Sequence, residues 1–521
     1  MSASQEKRKR NSERSAELEK AAAEKAAEAK KKSLKKVRNI IIAVVVVLVI
    51  AAIFVINSNL FYNGMTAVEV NGTKYTAAEV NYLYRTIYSN YLNQLNSVGQ
   101  QYGMDASSYA EMMGLDTTKA LDKQVYPYGE NGQTWAEYFR DQTLENLRTL
   151  TMHKDMADAE GITLSQEDLD EIDSDLSVYE YYASMSGYSD LKQYLAAQFG
   201  KGVTLDTVRK MAQLSQLSVN YAQKKLESFT YPDEELDAWY SEHSDEYDMI
   251  TFRQTFFNGS GTTISSDPTE EDNAHAMEHA KSDAETLMGM ATDEESFERL
   301  AAGQEGREPN PEPSGRTHGM GSNLSTYYKE WLLDEARQPG DMEVLEGYNG
   351  YYVVYFIGRD DNSYAMRQVR QILVKAAADD SGNYPDEAKE VALETATEYL
   401  SEWKNGEATE ESFAELARQH SEDTGSAENG GLYDRVVRNT YVQEFEDFAF
   451  DESRKSGDTG IVYGESSSYA GYHVMYYVGE GQRYDRFIAE SELRNEAMED
   501  WETVNVGNYH ATTGFSFRFV K

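Results

Sequence analysis

The chain has 521 residues, of which 40% are hydrophobic and 12% aromatic, so it is long enough to build several packed cores. It has no cysteine, which excludes disulfides, thiol nucleophiles and cysteine metal sites. Residues 1–38 carry 13 Lys and Arg against 6 Glu, whereas the remaining residues carry 36 against 84 Asp and Glu. A body this acidic repels a phosphate backbone, which argues against nucleic acid as a partner.

The segment IIIAVVVVLVIAAIFVI, residues 40–56, is an uninterrupted run of 17 uncharged apolar residues. It predicts a single transmembrane helix over residues 39–60, with the basic tail 1–38 in the cytoplasm and the acidic body outside the membrane. A cleaved signal peptide is the alternative interpretation. It is disfavoured because the preceding basic region is long and no small-x-small cleavage site follows.

Residues 65–235 are predicted to form an all-helical, chaperone-like domain after a short hairpin that turns at Asn71-Gly72. Gly161 and Gly200 are placed where helices end. The tyrosine-rich stretch 179–188 has two interpretations, packing within the domain or a surface for extended polypeptide. No set of catalytic residues stands out in this region.

The chain then repeats itself at a nearly constant offset. EESFERLA at 294–301 matches EESFAELA at 410–417 in six of eight positions, and Gln254 and Gln371 are 117 residues apart. These markers predict two tandem α+β domains, 249–360 and 364–482, each with the order strand, helix, helix, loop, helix, strand.

The two repeats differ in their middle parts, and a tail follows them. The first repeat carries the proline-rich loop 307–315, and the second carries the turn-rich acidic loop 420–434. Residues 483–521 are predicted to form a helix and then a strand over 513–521, which packs back on another part of the chain.

One metal motif matches literally. HAMEH, residues 275–279, fits H-x-x-E-H, in which His275 and His279 would share a helix face and Glu278 would act as a base. The corresponding helix of the second repeat has no such residues. The sequence therefore favours surface histidines, and we predict neither a metal nor any other cofactor.

The second repeat resembles the parvulin-type peptidyl-prolyl isomerases. The resemblance rests on the strand ILVK, on FAELA followed by the spaced residues of SEDTGSAENGG, and then on FEDFAF, a Gly-Asp turn and GYHV. The first repeat looks like a degenerate copy. The layout of anchor, helical domain, two repeats and C-terminal helix is similar to that of the extracytoplasmic PrsA and SurA foldases.

The resemblance implies an active site in the second repeat. It assigns Asp423 and His473 as catalytic residues, and it places Gln371 where the family has a second histidine. It also implies an apolar wall for the proline ring, made of Leu432, Tyr441, Phe445 and Phe450. In the first repeat the matching positions hold Gln254 and Tyr352, so that repeat is expected to be inactive and to serve as a binding surface or scaffold.

The function that the resemblance implies is a membrane-anchored foldase that isomerises X-Pro bonds in unfolded secreted polypeptides. Two alternatives remain open at this point. One is a holdase that binds unfolded chains without isomerase activity, which the replacement of a histidine by Gln371 favours, and the other is an adhesin or surface sensor built on these folds. His473 has an alternative interpretation too, as a core histidine satisfied by its neighbours.

Overall fold

The computed structural model of the chain describes residues 14, 20, 31, 35–50, 55, 58–303, 316–466 and 469–521. They form two compact units, one built from the described residues up to Phe229 together with Ala497–Lys521, and one built from Thr230–Glu496. The mixture of helices with antiparallel sheets confirms the predicted α+β class.

The predicted anchor is described only in part. Residues 35–50 are helical, and Ile40 and Val47 are 62% and 64% exposed. Residues 51–54, 56 and 57 of the predicted span lie outside the described residues, as do most of the basic tail and the loop 307–315. Among the described residues, no helix has both the length and the apolar character needed to cross a membrane.

The first unit combines helices with a small sheet. Its helices are α1 (Asn59–Gly64), α2 (Ala77–Gln101), α3 (Ala106–Met112), α4 (Trp135–Glu160), α5 (Gln166–Met185), α6 (Leu191–Phe199) and α7 (Leu205–Ser228). Its strands are β1 (Thr66–Val70), β2 (Thr73–Thr76) and the last strand of the chain, β11 (Ala511–Thr513). The antiparallel order is β11-β1-β2.

This sheet corrects two predictions. The predicted hairpin at Asn71-Gly72 is present, but it gains a third strand from the C-terminal tail, so the domain expected to be all-helical after this hairpin includes a three-stranded sheet. The tail does pack back on another part of the chain, as predicted, but its strand is Ala511–Thr513 and Phe515–Phe519 form a 3₁₀ turn. Phe and polar residues alternate in 515–519, a pattern typical of a strand, and tertiary packing overrides it here.

Local sequence explains where the long helices begin and end. The side chains of Thr76, Thr134 and Ser165 each accept a hydrogen bond from the backbone of the first helical turn, in capping boxes completed by an acidic residue three positions on. Gly161 ends α4 with a φ of 70°, a left-handed conformation that glycine adopts at little cost. The predicted helix end at Gly161 is confirmed, and so is the end at Gly200.

The second unit begins with helix α8 (Asp233–Tyr247) and contains both repeats. The elements of the first repeat are β3 (Met249–Asn258), α9 (Glu270–Met290), α10 (Glu294–Ala302), β4 (Arg316–Met320), α11 (Lys329–Leu333), β5 (Met342–Gly347) and β6 (Gly350–Asp360). Those of the second are β7 (Ala365–Lys375), α12 (Asp386–Asn405), α13 (Glu410–His420), β8 (Leu432–Val436), α14 (Gln443–Ala449), β9 (Thr459–Glu465) and β10 (Ala470–Arg483). Helix α15 (Tyr484–Val506) follows.

The two repeats have the same topology. Their four-stranded antiparallel sheets are ordered β4-β3-β6-β5 and β8-β7-β10-β9. The Gly-Asp turns match as well, since Gly340 and Gly457 both have φ above 90° and donate to the carbonyls of Phe356 and Tyr477 at 2.9 Å. The sequence pattern found two strands per repeat and missed the two short edge strands, which have weak alternation and lie beside loops.

A central phenylalanine fills the core between sheet and helices in each repeat. Phe413 is 0% exposed and contacts Trp403 and Tyr476, and Phe297 is 1% exposed at the matching position. In the second repeat, the face of the sheet that carries Ile372 and Val474 packs on α12 and α13. The opposite face, which carries Val369 and Met475, packs on α14.

Replacing Phe413 with alanine is expected to destabilise the second repeat by about 3–5 kcal/mol, the usual cost of removing a buried phenyl ring. Native-state hydrogen exchange of α12 and α13 would measure the loss locally. Val391→Ala on the exposed side of α12 is the control and is expected to change stability by about 0.5 kcal/mol or less. Equal effects of the two substitutions would contradict this assignment of the core.

Candidate active site

A cleft of about 320 Å³ lies on the face of the second sheet that packs on α14. Side chains from β7, β8, β10, the start of α14 and the adjoining loops line it. The lining residues are Gln371, Leu373, Asp423, Tyr433, Thr440, Tyr441, Val442, Phe445, Ser466, Tyr469 and His473. The structure therefore brings Gln371, Asp423, His473, Tyr441 and Phe445 together, five of the seven residues assigned from sequence.

Gln371 connects the two candidate catalytic residues. Its amide nitrogen donates to Oδ2 of Asp423 at 2.8 Å and to the hydroxyl of Tyr433 at 3.1 Å. Its amide oxygen lies 2.5 Å from Nδ1 of His473. A carboxylate only accepts hydrogen bonds, so the amide nitrogen has to face Asp423 and the oxygen is left for His473. Gln371 is 3% exposed, and each polar atom of its side chain has a partner.

This orientation fixes the tautomer of His473. The amide oxygen of Gln371 can only accept, so Nδ1 carries the proton and donates it to Gln371. Nε2 then accepts from the hydroxyl of Tyr469 at 3.0 Å. Burial lowers the pKa of His473 to about 4, although the charge of Asp423 acts in the opposite direction. The imidazole is therefore neutral near pH 7.

Asp423 collects the donors at the other end of this network. Tyr433 donates to Oδ2 at 2.7 Å, Gln371 and the hydroxyl of Ser426 donate to the same oxygen, and the backbone N–H of Gly425 reaches Oδ1 at 3.2 Å. Burial alone would raise the pKa of Asp423, but these hydrogen bonds favour the charged form and leave the pKa below its usual value. The carboxylate is ionised.

The hydrogen bonds of this network all donate toward Asp423. Tyr469 donates to His473, His473 donates to Gln371, and Gln371 donates to Asp423. The arrangement supplies a fixed negative charge, a neutral imidazole and phenolic hydroxyls in a partly desolvated cleft, where hydrogen bonds are stronger than in water. It is suited to holding and polarising a bound group through hydrogen bonds.

Aromatic rings form the wall beside this network. Tyr441 stacks on Phe445 with ring centroids 4.9 Å apart, and Tyr433 packs edge-on against both. The ring of Phe445 also meets His473 edge-on at 5.7 Å. Such a wall accepts a small apolar ring and positions it next to the polar groups.

Two residues assigned to this wall from sequence lie elsewhere. Leu432 directly precedes Tyr433 on β8, and successive residues of a strand face opposite sides, so Leu432 does not line the cleft. Phe450 follows the last residue of α14 and packs edge-on against Tyr364, and it does not line the cleft. The assignment of Leu432 and Phe450 to the cleft is therefore corrected.

Sequence reasoning missed the hydroxyl groups that complete the network. Tyr433, Tyr469 and Ser426 contact Asp423 or His473 directly. Tyr433 follows the Gly430-Gly431 pair, and Tyr469 lies four residues before His473. The spacing to known site residues was the available signal, but tyrosine is abundant throughout this chain and none of these positions stood out.

The first repeat has a different chemistry at the same place. The amide oxygen of Gln254 is buried and has no hydrogen-bond partner. Tyr352, which takes the position of His473, is surrounded by the rings of Phe256, Tyr327 and Tyr328 at centroid distances of 4.7–5.9 Å. An aromatic cluster thus replaces the polar network of the second repeat.

The other residues singled out in the sequence are the histidines of the H-x-x-E-H motif and the tyrosine-rich stretch. His275 and His279 lie exposed on α9, and nowhere in the described part of the chain do three or more His, Cys, Asp or Glu side chains group in a way that could hold a metal ion. The tyrosine-rich stretch of α5 contains residues that fit each of the two interpretations, packing within the domain and an exposed surface. Tyr179 packs in the core, whereas Tyr181 and Tyr182 are 62% and 48% exposed.

The protonation of His473 gives a prediction for stability. The unfolded chain binds a proton at this residue near pH 6.5, but the folded chain binds it only near pH 4. The stabilising contribution of the neutral buried ring is therefore complete above about pH 6.5 and is lost as the pH falls toward 4. Urea unfolding of wild type and His473→Gln between pH 4 and 8 would measure it, and the variant is expected to show the shallower pH dependence. Identical pH profiles would contradict the assigned protonation state.

Comparison with known proteins agrees with this geometry. Residues 372–479 match the rotamase family, described as the PPIC-type PPIASE domain. Three similar proteins are named Chaperone SurA. They come from Pseudoalteromonas atlantica (28% identical over 40% of this chain and 44% of that protein), Pseudoalteromonas translucida (23%, over 60% and 68%) and Pseudomonas putida (35%, over 21% and 22%). The chain thus spans less than half the length of the first and third of these relatives.

Matches to solved structures have lower identity and low TM-scores. PrsA from Bacillus subtilis is 15% identical over 77% of this chain and 92% of that chain, with a TM-score of 0.27. A SurA-like chaperone of Campylobacter jejuni is 14% identical over 45% and 82%, with a TM-score of 0.17.

The second repeat is a parvulin domain of the PPIC type. The chain that carries it is similar over part of its length to the proteins named Chaperone SurA, which agrees with the resemblance noted from its sequence.

Proposed function

We propose that the second repeat catalyses the cis–trans isomerisation of X-Pro peptide bonds, with Asp423 and His473 as catalytic residues and Gln371 joining them. The observation that carries the proposal is the cleft itself. An aromatic wall of Tyr441 and Phe445 stands beside a continuous hydrogen-bonded network that ends in an ionised carboxylate.

The chemistry of isomerisation fits these groups. The barrier of about 18–20 kcal/mol comes from amide resonance, which stabilises the planar amide but not the twisted one. Catalysis therefore requires that the free-energy difference between the planar and the twisted amide be reduced. The proline ring packs on Tyr441 and Phe445. The negative charge of Asp423 then faces the amide and disfavours the build-up of negative charge on its oxygen, which is largest in the planar form.

Gln371 maintains this arrangement without an ionisable group. Like an imidazole, an amide can donate on one side and accept on the other, and Gln371 makes both contacts. Unlike an imidazole it has a fixed polarity. The replacement of the family histidine is therefore compatible with catalysis and keeps the negative charge localised on Asp423.

A holdase function is the second candidate, favoured by a separate observation. Helix α5 of the first unit exposes Val178, Tyr181, Tyr182 and Met185, an apolar surface with polar tips. Unfolded polypeptides bind to surfaces of this kind without any chemical change. The aromatic cluster around Tyr352 in the first repeat is proposed to serve as a binding surface or scaffold and not as an isomerase site.

The proposed clients are unfolded secreted polypeptides, and the proposed location is the outer side of the cell membrane. Support for the location comes from residues 35–50, which form a helix that begins at the end of the basic tail and continues with exposed Ile and Val side chains. Fractionation of cells that express the full chain or a chain lacking residues 1–57 tests the anchor. Carbonate-resistant membrane association of the full chain alone is the expected result, and equal release of both chains would contradict it.

Refolding kinetics test the isomerase proposal. The client is a protein whose slow refolding phase is limited by one proline, since such phases last tens of seconds or more. We expect the full chain, kept in mild detergent, to accelerate this phase at substoichiometric concentration, and we expect the Asp423→Ala/His473→Ala double variant not to. Suppression of client aggregation without acceleration would refute the isomerase and leave the holdase.

A further inference from the structure

The dipeptide Arg-Gln occurs at the same place on the first strand of each repeat, as Arg253-Gln254 on β3 and Arg370-Gln371 on β7. Neighbouring residues of a strand face opposite sides of the sheet. In the second repeat Gln371 therefore faces the cleft, and Arg370 faces the side covered by α12 and α13. The hydrogen-bonded network of Asp423 and His473 accounts for the presence of Gln371, but it does not include Arg370.

Arg370 connects a helix to the end of a loop. Its Nε donates to Oε1 of Glu410 at 3.0 Å, at the start of α13. Its Nη1 donates to the carbonyl oxygens of Asn429 and Gly430, each at 3.0 Å. The planar guanidinium can make these three contacts at once because its donors point in fixed, divergent directions.

The loop that Arg370 holds carries Asp423. Gly430 and Gly431 both have left-handed φ values, of 66° and 71°, which return the chain toward β7. The carbonyl of Gly431 there accepts from the backbone N–H of Gln371 at 2.9 Å. The N–H of Gly431 in turn donates to the carbonyl of Ser426 at 2.8 Å, and the hydroxyl of Ser426 donates to Asp423.

We propose that Arg370 is a positioning residue for the isomerase reaction. It fixes the end of the loop 423–431 on one face of β7 so that Asp423 meets Gln371 on the other face. Close packing supports this role, because a Cβ at Gly430 would lie 3.0 Å from Nη1 of Arg370. The proposal rests on the proposed isomerase function and adds a residue that never touches the client.

The first repeat provides a matched control. Arg253 has the same place on β3, but it pairs with Glu294 at 2.8 Å and Glu298 at 3.0 Å on α10. Arg316 pairs with Glu294 as well. Arg370 and Arg253 each connect the first strand of their repeat to a helix. If this connection were their only role, replacing either residue would have the same effect.

The experiment compares Arg370→Met with Arg253→Met in the full chain. Arg370→Met is expected to lower kcat about tenfold with little change in KM, because misplacement of a catalytic group acts on the reacting state. The acid limb of the pH–activity profile is expected to move to higher pH, since Asp423 loses well-aligned donors and becomes easier to protonate. Arg253→Met is expected to leave kcat and this limb unchanged. Arg370→Lys keeps the charge but not the three contacts and is expected to be intermediate.

Nitrogen NMR of the histidine rings gives a readout that does not depend on activity. In the wild type, His473 should be protonated at Nδ1, and its signal is assigned by its loss in His473→Gln. In Arg370→Met the two tautomers are expected to mix, because Gln371 is no longer oriented by Asp423. If wild type and Arg253→Met are inactive but Arg370→Met alone changes this tautomer, the isomerase proposal fails and the positioning of the loop stands. If Arg370→Met matches Arg253→Met in activity, pH limb and tautomer, Arg370 has no positioning role.

Discussion

Replacing Asp423 with alanine is expected to abolish the acceleration of proline-limited refolding, with a loss of about 100-fold or more in kcat/KM. Among the described residues that line the cleft, Asp423 carries the only ionised group, and it is the common acceptor for Ser426, Tyr433 and Gln371. Without it the amide of Gln371 can rotate, and the hydrogen bond that fixes His473 is lost as well. The measurement is the rate of the slow refolding phase as a function of enzyme concentration.

Two variants separate the charge from the structure. Asp423→Asn keeps a hydrogen-bond acceptor at nearly constant volume, and its activity is expected to fall almost as far because the negative charge is gone. Asp434→Asn removes an exposed carboxylate from β8, one residue after Tyr433, and is expected to leave the rate unchanged. An Asp423→Asn variant with full activity would show that the charge plays no part, and the role assigned to the carboxylate would have to be abandoned.

Asp423→Ala also tests what the network contributes to folding. Three side-chain donors and the backbone N–H of Gly425 would lose their acceptor, and an unpaired buried polar group costs about 1–3 kcal/mol. Because Asp423 itself is only partly buried, water can replace part of what is lost. The loss of activity should therefore exceed what unfolding explains, and circular dichroism under assay conditions would verify that the variant remains folded.

The architecture was predictable where sequence and local structure agree. The duplication was evident because helices α10 and α13 share most of their residues and the Gly-Asp turns recur at the same offset. The edge strands β4 and β8 were missed because they are five residues long and acquire their conformation from β3 and β7. The strand β11 was misplaced for a related reason, since its partner β1 lies more than 400 residues earlier in the chain.

The site was predictable in its backbone framework but not in its side-chain contacts. Gln371 and His473 are found together because β7 and β10 are neighbours in the sheet, and it was the resemblance to the parvulins, not the strand pattern, that assigned both to one site. Phe450 was misassigned because one residue at the end of a short helix changes the direction of a side chain by about 100°. Tyr433 and Tyr469 were missed because their roles depend on distances across loops, which periodicity does not encode.

A second substitution is expected to have a comparable effect on activity without removing any functional group. Gly464 lies on β9 opposite Gly471, two residues before His473, and a Cβ at position 464 would lie 2.6 Å from Nε2 of His473 and 3.0 Å from Cγ2 of Val442. His473 is 4% exposed and its Nδ1 is bound to Gln371, so it has little freedom to move aside. Gly464→Ala is therefore expected to displace the ring from Tyr469 and to lower kcat/KM about 10- to 100-fold. The slow refolding phase of the client measures the loss.

The first repeat supplies the control because it has the same steric arrangement with a different ring. Gly347 corresponds to Gly464, and a Cβ there would lie 2.8 Å from the ring of Tyr352. Overpacking costs about 1–3 kcal/mol in either repeat, so the two alanine variants should lose similar stability. Only Gly464→Ala should lose isomerase activity if the second repeat alone contains the active site. If Gly347→Ala abolished activity equally, both repeats would be needed for catalysis, and the aromatic cluster around Tyr352 would have to take part in the reaction.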